Sequence, residues 1–254
     1  MSIAARLYVQ APLAEGLVVQ PDTAQTHYLR HVLRLEAGAP LALFNGRDGE
    51  WRARLAVAAR RGLSLIVEAM RRPQEPAPDL WLLAAPVKRA PLDLIAEKAT
   101  ELGIARLLPV LTRRSVVARV NVERLHAIAR EAAEQSERLT VPEIAEPVAL
   151  DRAVALFPPE RLLLVADEGG GAPPIAEVLA GLGPLSGGAA VLTGPEGGFA
   201  PGELDAVLKL PFARPAGLGP RILRADTAAI STLAVFQALA GDWRRARHRS
   251  DGTF

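Results

Sequence analysis

Two glycine-proline loops carry most of the chemistry available to this sequence. The first, Thr193-Gly194-Pro195-Glu196-Gly197-Gly198-Phe199, lies between the apolar run "AAVL" and the helix-like stretch "APGELDAVL". A glycine loop between a strand and a helix usually grips phosphate through backbone N–H groups. This one carries a carboxylate and no lysine. The pattern GxxxxGK[ST] would need Lys and then Ser or Thr after its second glycine, and GxGxxG would need another spacing. Glu196 opposes an approaching phosphate and favours a ligand with a positive centre. An adenosyl sulfonium such as S-adenosylmethionine has that centre, and adjacent glycines leave main-chain N–H and C=O groups open to a flat base and ribose. A plain tight turn is the alternative reading of the same residues.

The second loop, "GLGPRILRADTAA" (Gly217 to Ala229), follows the β-like "PFARPAG" and again places Gly-Pro before a helix. In open parallel sheets ligands sit beyond the carboxyl ends of strands. Two such loops on neighbouring strand ends would therefore wall one pocket. Arg221 and Arg224 would present guanidinium groups there, able to meet a phosphate or polarise a carbonyl. Taken singly, either arginine reads first as half of a surface ion pair.

The elements that must position these loops are legible from pattern. After Asp79 the apolar runs "LWLLAAP", "RLLPVL", "RLLLVAD" and "AAVLTG" are each followed by a helix-like stretch: "PLDLIAEKATELG", "NVERLHAIAREAAEQSERL", "PIAEVLAGLG" and "PGELDAVLKL". This βαβα order predicts an α/β domain with a mainly parallel sheet and helices on both faces. A last helix, "ADTAAISTLAVFQALAGDW", closes it. Before residue 72 the runs "RLYVQ", "LALFNG", "EWRARLAVAA" and "LSLIVEAM" are divided by turn signals such as Asn45-Gly46 and Arg47-Asp48-Gly49, which suits a small antiparallel β-barrel interrupted by one helix around "TAQTHYLRHVLRL". The proline-rich "RRPQEPAPD" (Arg71 to Asp79) marks the linker. The expected division is 1–72 and 73–254.

Bulk properties narrow the function classes. The chain has 254 residues, long enough for two modest cores. No apolar run approaches the roughly 18 residues of a membrane span, and the N-terminus lacks a basic stretch followed by a long apolar one, so the expectation is a soluble cytosolic protein. There are no cysteines, which removes disulfides, thiolate metal sites and cysteine nucleophiles. His27, His31, His126 and His248 show no metal-ligand spacing, so no metal is expected. The net charge is only +2, but residues 1–72 hold ten Arg against six acids, leaving twenty basic residues against twenty-two acids in the remainder. The N-terminal part is the basic end, as an RNA-handling enzyme would have it.

"TGPEGGF" together with "LGPRILRADTAA" resembles the paired cofactor loops of the SPOUT class of S-adenosylmethionine methyltransferases, and specifically the RsmE family, which methylates N3 of a uridine in 16S ribosomal RNA. The resemblance runs through most of the chain in order: "RLYV", "HYLRHVLRLEAG", "FNGRDGEW", "EKATELG", "LLPVLTRRSVV", "EAAEQSERLTVPEI", then the two loops. It implies a trefoil-knotted α/β catalytic domain, an N-terminal PUA-like β-barrel and a homodimer. No period in the sequence encodes a knot.

Carried over by residue, the resemblance places the adenosyl group against Leu192, Thr193, Gly194, Gly197 and Gly198 of the first loop, and Leu218, Gly219, Ile222 and Leu223 of the second, with Asp167 and Glu168 at the end of "RLLLVADE". Arg114, Ser115, Gln135, Ser136 and Arg138 match positions facing RNA, and Arg6, His27, Arg30, His31 and Arg34 are further expected RNA contacts on the barrel. Arg224, with Arg221, would stabilise charge on the uracil oxygens, with Asp226 or Glu196 as proton acceptor. Asp226 departs from the family pattern, which commonly has Glu there. One methylene shorter, it can instead cap the last helix. The expected partner is 16S rRNA within the small ribosomal subunit. Alternatives are a SPOUT enzyme acting on another base or a ribose 2′-OH, and an RNA-binding module without catalysis. A Rossmann-type oxidoreductase is a third, set back by the missing GxGxxG.

Overall fold

The computed structural model describes residues 3–58, 62–76, 78–117, 119–183, 185 and 187–244. Contacts divide these into two units. The first holds the described residues up to 76 together with Ala133–Val141, and the second holds those from 78 to 132 and from 142 to 244. Among the described residues no helix is long and apolar enough to cross a membrane.

In the first unit, β1 (Ala5–Tyr8), β2 (Val18–Val19), β3 (Pro40–Phe44), β4 (Glu50–Ala58) and β5 (Gly62–Arg72) form one sheet in the order β1-β3-β4-β5-β2. The expected Asn45 to Gly49 turn joins β3 to β4. Asn45 Oδ1 accepts from the N–H groups of Arg47 and Asp48, and Asp48 Oδ2 accepts from Leu13 N–H. Gly46 and Gly49 have φ of 82° and 81°, the left-handed region that favours glycine. The strands pair antiparallel, as expected, except at one place: β1 pairs parallel with β3, with Leu7 opposite Leu43. A parallel pair needs a crossover, and the chain between them supplies one. It contains β2, helix α1 (Thr23–His27) and a π-helical turn over Tyr28–Val32. Asp22 starts α1 with a capping box, accepting from Gln25 N–H while the Gln25 side chain accepts from Asp22 N–H. The core gathers Leu7, Leu29, Leu41, Leu43, Leu55 and Leu65, none more than 2 % exposed.

Residues 133–141 complete a second, smaller cluster in this unit. Phe44, Ala133 and Leu139 are buried together, with Tyr8 and Val141 packed against them. Arg6 ties the segment down. Its guanidinium lies 3.8 Å over the Phe44 ring and donates to the carbonyl oxygens of Ala133 and Arg138 at 2.8 and 2.7 Å. Glu50, whose side chain is 2 % exposed, balances the charge by accepting from Arg6, Arg71 and Arg72 at 2.6, 2.6 and 2.9 Å. Burial pushes the Glu50 carboxyl up, but the bonds from Arg72 and Arg6 and their charges outweigh it and hold the group below the usual carboxylate range. Burial in turn pulls the Arg6 guanidinium below its ordinary value, opposed by Glu50.

In the second unit, β6 (Leu80–Ala84), β7 (Arg106–Leu111), β8 (Glu143–Ile144), β10 (Leu162–Asp167), β11 (Ala189–Thr193) and β12 (Ala213–Gly217) line up as β12-β10-β11-β6-β7-β8, and β9 (Val148–Ala149) also pairs with β7. Every pairing is parallel, as the βαβα pattern predicts. Leu162 to Val165 are all buried, so β10 is covered on both faces. One face meets α4 (Leu150–Ala155) and α6 (Pro201–Leu208) through Leu163, Val165, Leu192, Leu150 and Val207. The other helices are α2 (Arg89–Glu101), α3 (Val122–Gln135), α5 (Ile175–Ala180) and α7 (Ala225–Leu239). α7 packs on α2, α5 and β11, and Gln237 Nε2 donates to the Leu102 carbonyl at 2.6 Å. Helix α2 buries Leu92, Ile95, Ala96 and Ala99, an i, i+3, i+4, i+7 stripe. Gly103, at φ 85°, ends it. Pro215 is tolerated in β12 because that strand lies at the sheet edge. The pattern gave no sign of β8, β9 or α4, which are short.

Candidate functional site

The strands β12, β10 and β11 are neighbours and parallel, so their carboxyl ends lie side by side. The register puts Asp167 opposite Gly217, and Val165 opposite Leu192. Three loops leave this edge: Glu168 to Pro174 after β10, Gly194 to Ala200 after β11, and Leu218 to Arg224 after β12. The two glycine-proline loops are thus brought to one place, with Asp167 and Glu168 between them, as a shared pocket requires.

The β11 loop is held tightly. Gly198 N–H donates to the Pro195 carbonyl at 2.9 Å, closing a turn with Glu196 and Gly197 at its centre, and Gly198 has φ 66°. A Cβ at position 198 would also run into the Glu168 carboxylate. At Gly194 a Cβ would lie 3.0 Å from the Phe199 ring, so the ring packs on the bare glycine. Arg114 Nη1 donates to the Gly197 carbonyl at 2.9 Å. Glu203 accepts from the N–H groups of Arg113 and Ala200 at 2.7 and 3.1 Å. It thus fixes the start of α6 and the loop after β7 together. Ser115 Oγ accepts from Thr112 N–H at 2.9 Å, bracing the same loop. Leu192 and Thr193 are buried, so what they offer a ligand is backbone. Sequence reasoning missed Phe199 and Glu203. The Glu three residues into "APGE" is a first-turn carboxylate, and that spacing was the available signal.

The β12 loop is open by contrast. Gly217 N–H donates to the Pro173 carbonyl at 2.8 Å, anchoring its start. Beyond that, the N–H groups of Leu218, Gly219, Ile222 and Leu223 make no hydrogen bond among the described residues. Gly219 has φ 96° with open space where a Cβ would stand. Ile222 is 85 % exposed. A run of unpaired donors beside an exposed aliphatic side chain suits a ligand with polar edges and a flat apolar face, which is the character of an adenosyl group. Asp167 Oδ1 accepts from Gly169 N–H, and its other carboxylate oxygen has no hydrogen bond among the described residues. The donor set therefore fits S-adenosylmethionine.

Four charged candidates ring these loops. Glu196, Arg221 and Arg224 are exposed and have no ion pair among the described residues. Arg224 is the N-cap residue of α7 in an extended conformation. Asp226, in the first turn, accepts from Thr227 N–H at 2.7 Å, while the N-cap position makes no side-chain cap bond.

The remaining candidates lie in the first unit. His27, Arg30, His31 and Arg34 are all exposed along α1 and the turn after it, the two histidine rings 5.0 Å apart. Gln135 and Ser136 are exposed, and Arg138 is half-buried with Nη2 donating to Thr140 Oγ1 at 3.0 Å. Arg6 is the correction. Expected on the RNA face, it is instead half-buried, with its donors used on Glu50 and on the carbonyls of residues 133 to 138. An arginine beside alternating apolar residues reads the same in sequence whether its head emerges or turns inward to a carboxylate.

The class follows from comparison with known families. A model of the RNA methyltransferase domain matches residues 73–237, and one of the RNA methyltransferase PUA domain matches residues 21–68. The ribosomal RNA small subunit methyltransferase E of Rickettsia conorii is 34% identical over 237 residues, covering 92% of this chain and 95% of that protein. Its counterpart from Synechocystis is 34% identical over 240 residues, covering 89% and 78%. Among solved structures, the ribosomal RNA small subunit methyltransferase E of Neisseria gonorrhoeae, bound to S-adenosyl methionine, superposes with a TM-score of 0.85 at 27% identity, covering 94% of this chain and 99% of that one. A methyltransferase of Legionella pneumophila in complex with the same cofactor gives 0.80 at 28%, covering 92% and 97%. The chain belongs to the ribosomal RNA small subunit methyltransferase E family, the family that its paired loops resemble.

Proposed function

We propose that this protein transfers a methyl group from S-adenosylmethionine to N3 of a uridine in 16S ribosomal RNA, acting on the small subunit as a homodimer. The observation that carries the reading is the pair of loops at the ends of β11 and β12, one closed on itself and one with its backbone donors unspent. Support comes from the family and from two cofactor-bound relatives of the same fold.

When bound, S-adenosylmethionine supplies an electrophilic methyl on a sulfonium. Leu192, Thr193, Gly194, Gly197 and Gly198 would hold the adenosyl group from one side through main-chain groups, and Leu218, Gly219, Ile222 and Leu223 from the other, with Asp167 and Glu168 between. Glu196 lies at the exposed tip of its turn, where its charge attracts the cationic centre. Uracil N3 carries a proton at neutral pH, so the residues near it must accept that proton and stabilise the charge left behind. Arg224 and Arg221, unpaired and exposed, are suited to the uracil oxygens. Glu196, in the β11 loop, and Asp226, in the first turn of α7, are the carboxylates for the proton. Orientation of the base against the methyl is the other contribution. In this reading His27, Arg30, His31, Arg34, Gln135 and Arg138 of the first unit and Arg114 and Ser115 of the second are RNA contacts, while Arg6 is not.

Labelled S-adenosylmethionine incubated with small subunits from a strain lacking the modification should yield one new reverse-transcription stop at a uridine, because N3 methylation blocks Watson–Crick pairing. A stop elsewhere, or label on ribose, overturns the assignment. Light scattering that shows a monomer at micromolar concentration overturns the homodimer.

A further inference from the structure

One concavity of the second unit is lined by no residue of the cofactor loops. It lies between the start of α2 and the segment that leads into α3, with a volume of about 260 Å³. Val87, Leu92, Val120 and Leu125 give it apolar walls, and Arg89, Arg119, Arg124 and Asp93 stand around it. The volume is below the roughly 300 Å³ at which drug-sized ligand sites begin. It therefore suits a single base or ribose and not a whole cofactor.

The charge around the cavity is unbalanced. Arg124 is committed to Asp93, with Nε and Nη2 donating to its carboxylate at 3.0 and 2.7 Å. Arg89 approaches the same carboxylate only at 4.0 Å, with its side chain 75 % exposed. Arg119 is exposed and has no hydrogen bond or ion pair among the described residues. One carboxylate thus faces three guanidiniums, and two of these remain available. An apolar recess with spare arginines at its rim fits a flat, weakly polar group attached to an anion, which is a nucleotide unit of single-stranded RNA.

The cavity also shares a chain segment with the cofactor loops. The loop after β7 carries Arg114, bonded to the Gly197 carbonyl, and five residues later Arg119 at the cavity. An occupant gripped by Arg119 is therefore held by the same stretch of backbone that braces the β11 loop.

We propose that this cavity binds one nucleotide of the substrate RNA other than the methylated uridine, with Arg119 and Arg89 on its phosphate and the apolar walls against its base or ribose. The inference rests on the RNA methyltransferase reading above and adds a subsite to it. These arginines are positioning residues, so they set how the RNA is held and leave the reacting atoms to other groups.

The test is the double substitution Arg89→Ala with Arg119→Ala in the full chain, assayed for methyl transfer to unmodified small subunits. KM for the subunits should rise roughly tenfold, kcat should change far less, and calorimetry should give an unchanged S-adenosylmethionine Kd. The slope of log affinity for RNA against log salt should fall by about one per arginine removed. Lysine at both positions should restore most of the loss, since a point charge still meets phosphate. Unchanged KM and unchanged salt slope overturn the proposal. If the wild type transfers no methyl to small subunits, the substrate reading fails, and fluorescence polarisation with a labelled single-stranded RNA decides the cavity separately: weaker binding by the double variant upholds it, equal binding overturns it. A variant that binds RNA normally but has become monomeric assigns this face to a second copy of the chain, which also overturns it.

Discussion

Arg114 donates from Nη1 to the carbonyl oxygen of Gly197 across 2.9 Å, joining the loop after β7 to the centre of the β11 turn. A charged donor on an exposed carbonyl contributes about 1 kcal/mol. Arg114→Ala should therefore weaken S-adenosylmethionine binding roughly fivefold, measured by calorimetry, while the melting temperature stays near that of the parent. An unchanged Kd would mean that the turn keeps its shape without this bond.

Arg224 makes the opposite prediction. Its side chain is exposed and has no hydrogen bond or ion pair among the described residues, so Arg224→Ala should leave cofactor affinity alone and lower single-turnover methyl transfer by roughly a hundredfold, the usual effect of losing one group aimed at developing charge. Equal single-turnover rates would remove this arginine from the chemistry.

Glycines 198 and 219 separate backbone strain from crowding. Both have φ in the left-handed region, but only at Gly198 would a Cβ strike a neighbour, the Glu168 carboxylate. An alanine in that region costs roughly 1–2 kcal/mol. In a domain of this size each kcal/mol lowers the melting temperature by about 2–4 °C. Gly198→Ala should exceed Gly219→Ala in this loss, and Glu168→Ala should remove the excess. If the two alanine variants melt together, the carboxylate swings aside at no cost.

Glu50 gives the pH dependence. Its folded-state pKa is held below the ordinary value by Arg72 and Arg6 despite burial. The stability it contributes is therefore complete above the unfolded-state pKa of roughly 4.3 and is lost as pH falls through the lower folded value. Thermal melts from pH 7 to pH 2 should show this loss, and Glu50→Gln should flatten it while lowering stability at pH 7 by about 3 kcal/mol, because buried guanidiniums lose their counter-charge. A Glu50→Gln protein that melts like the parent at pH 7 would show the cluster to be dispensable.

The parallel sheet and its loops were readable because βαβα alternation and the glycine-proline spacing are local. Strands β6, β7, β10 and β11 sit on the runs that suggested them, and the paired loops emerge from the ends of β11 and β12, on either side of β10. What the sequence hid is non-local. The parallel pairing of β1 with β3 depends on a crossover that no period encodes, and the inward turn of Arg6 depends on Glu50, 44 residues away. The role of Glu203 was half visible, since its first-turn position is a local signal but its bond to Arg113 N–H spans 90 residues. The cavity around Arg119 had no motif at all, because its walls come from two separated places in the chain, Val87 to Asp93 and, some thirty residues on, Arg119 to Leu125 with Val117.

Helix α3 begins in one unit and its last residues, with those up to Val141, complete the other. This has a consequence for biosynthesis. When the ribosome has released only the first 76 residues, Phe44 still lacks Ala133 and Leu139, and Arg6 lacks the carbonyls of residues 133 to 138. The N-terminal unit must therefore wait, with Arg6 still lacking its carbonyl acceptors, until the part of the methyltransferase unit that interrupts it up to residue 132, about a third of that unit, has been made together with residues 133–141. A fragment cut at the linker would hold every strand of that sheet and still lack part of its own interior.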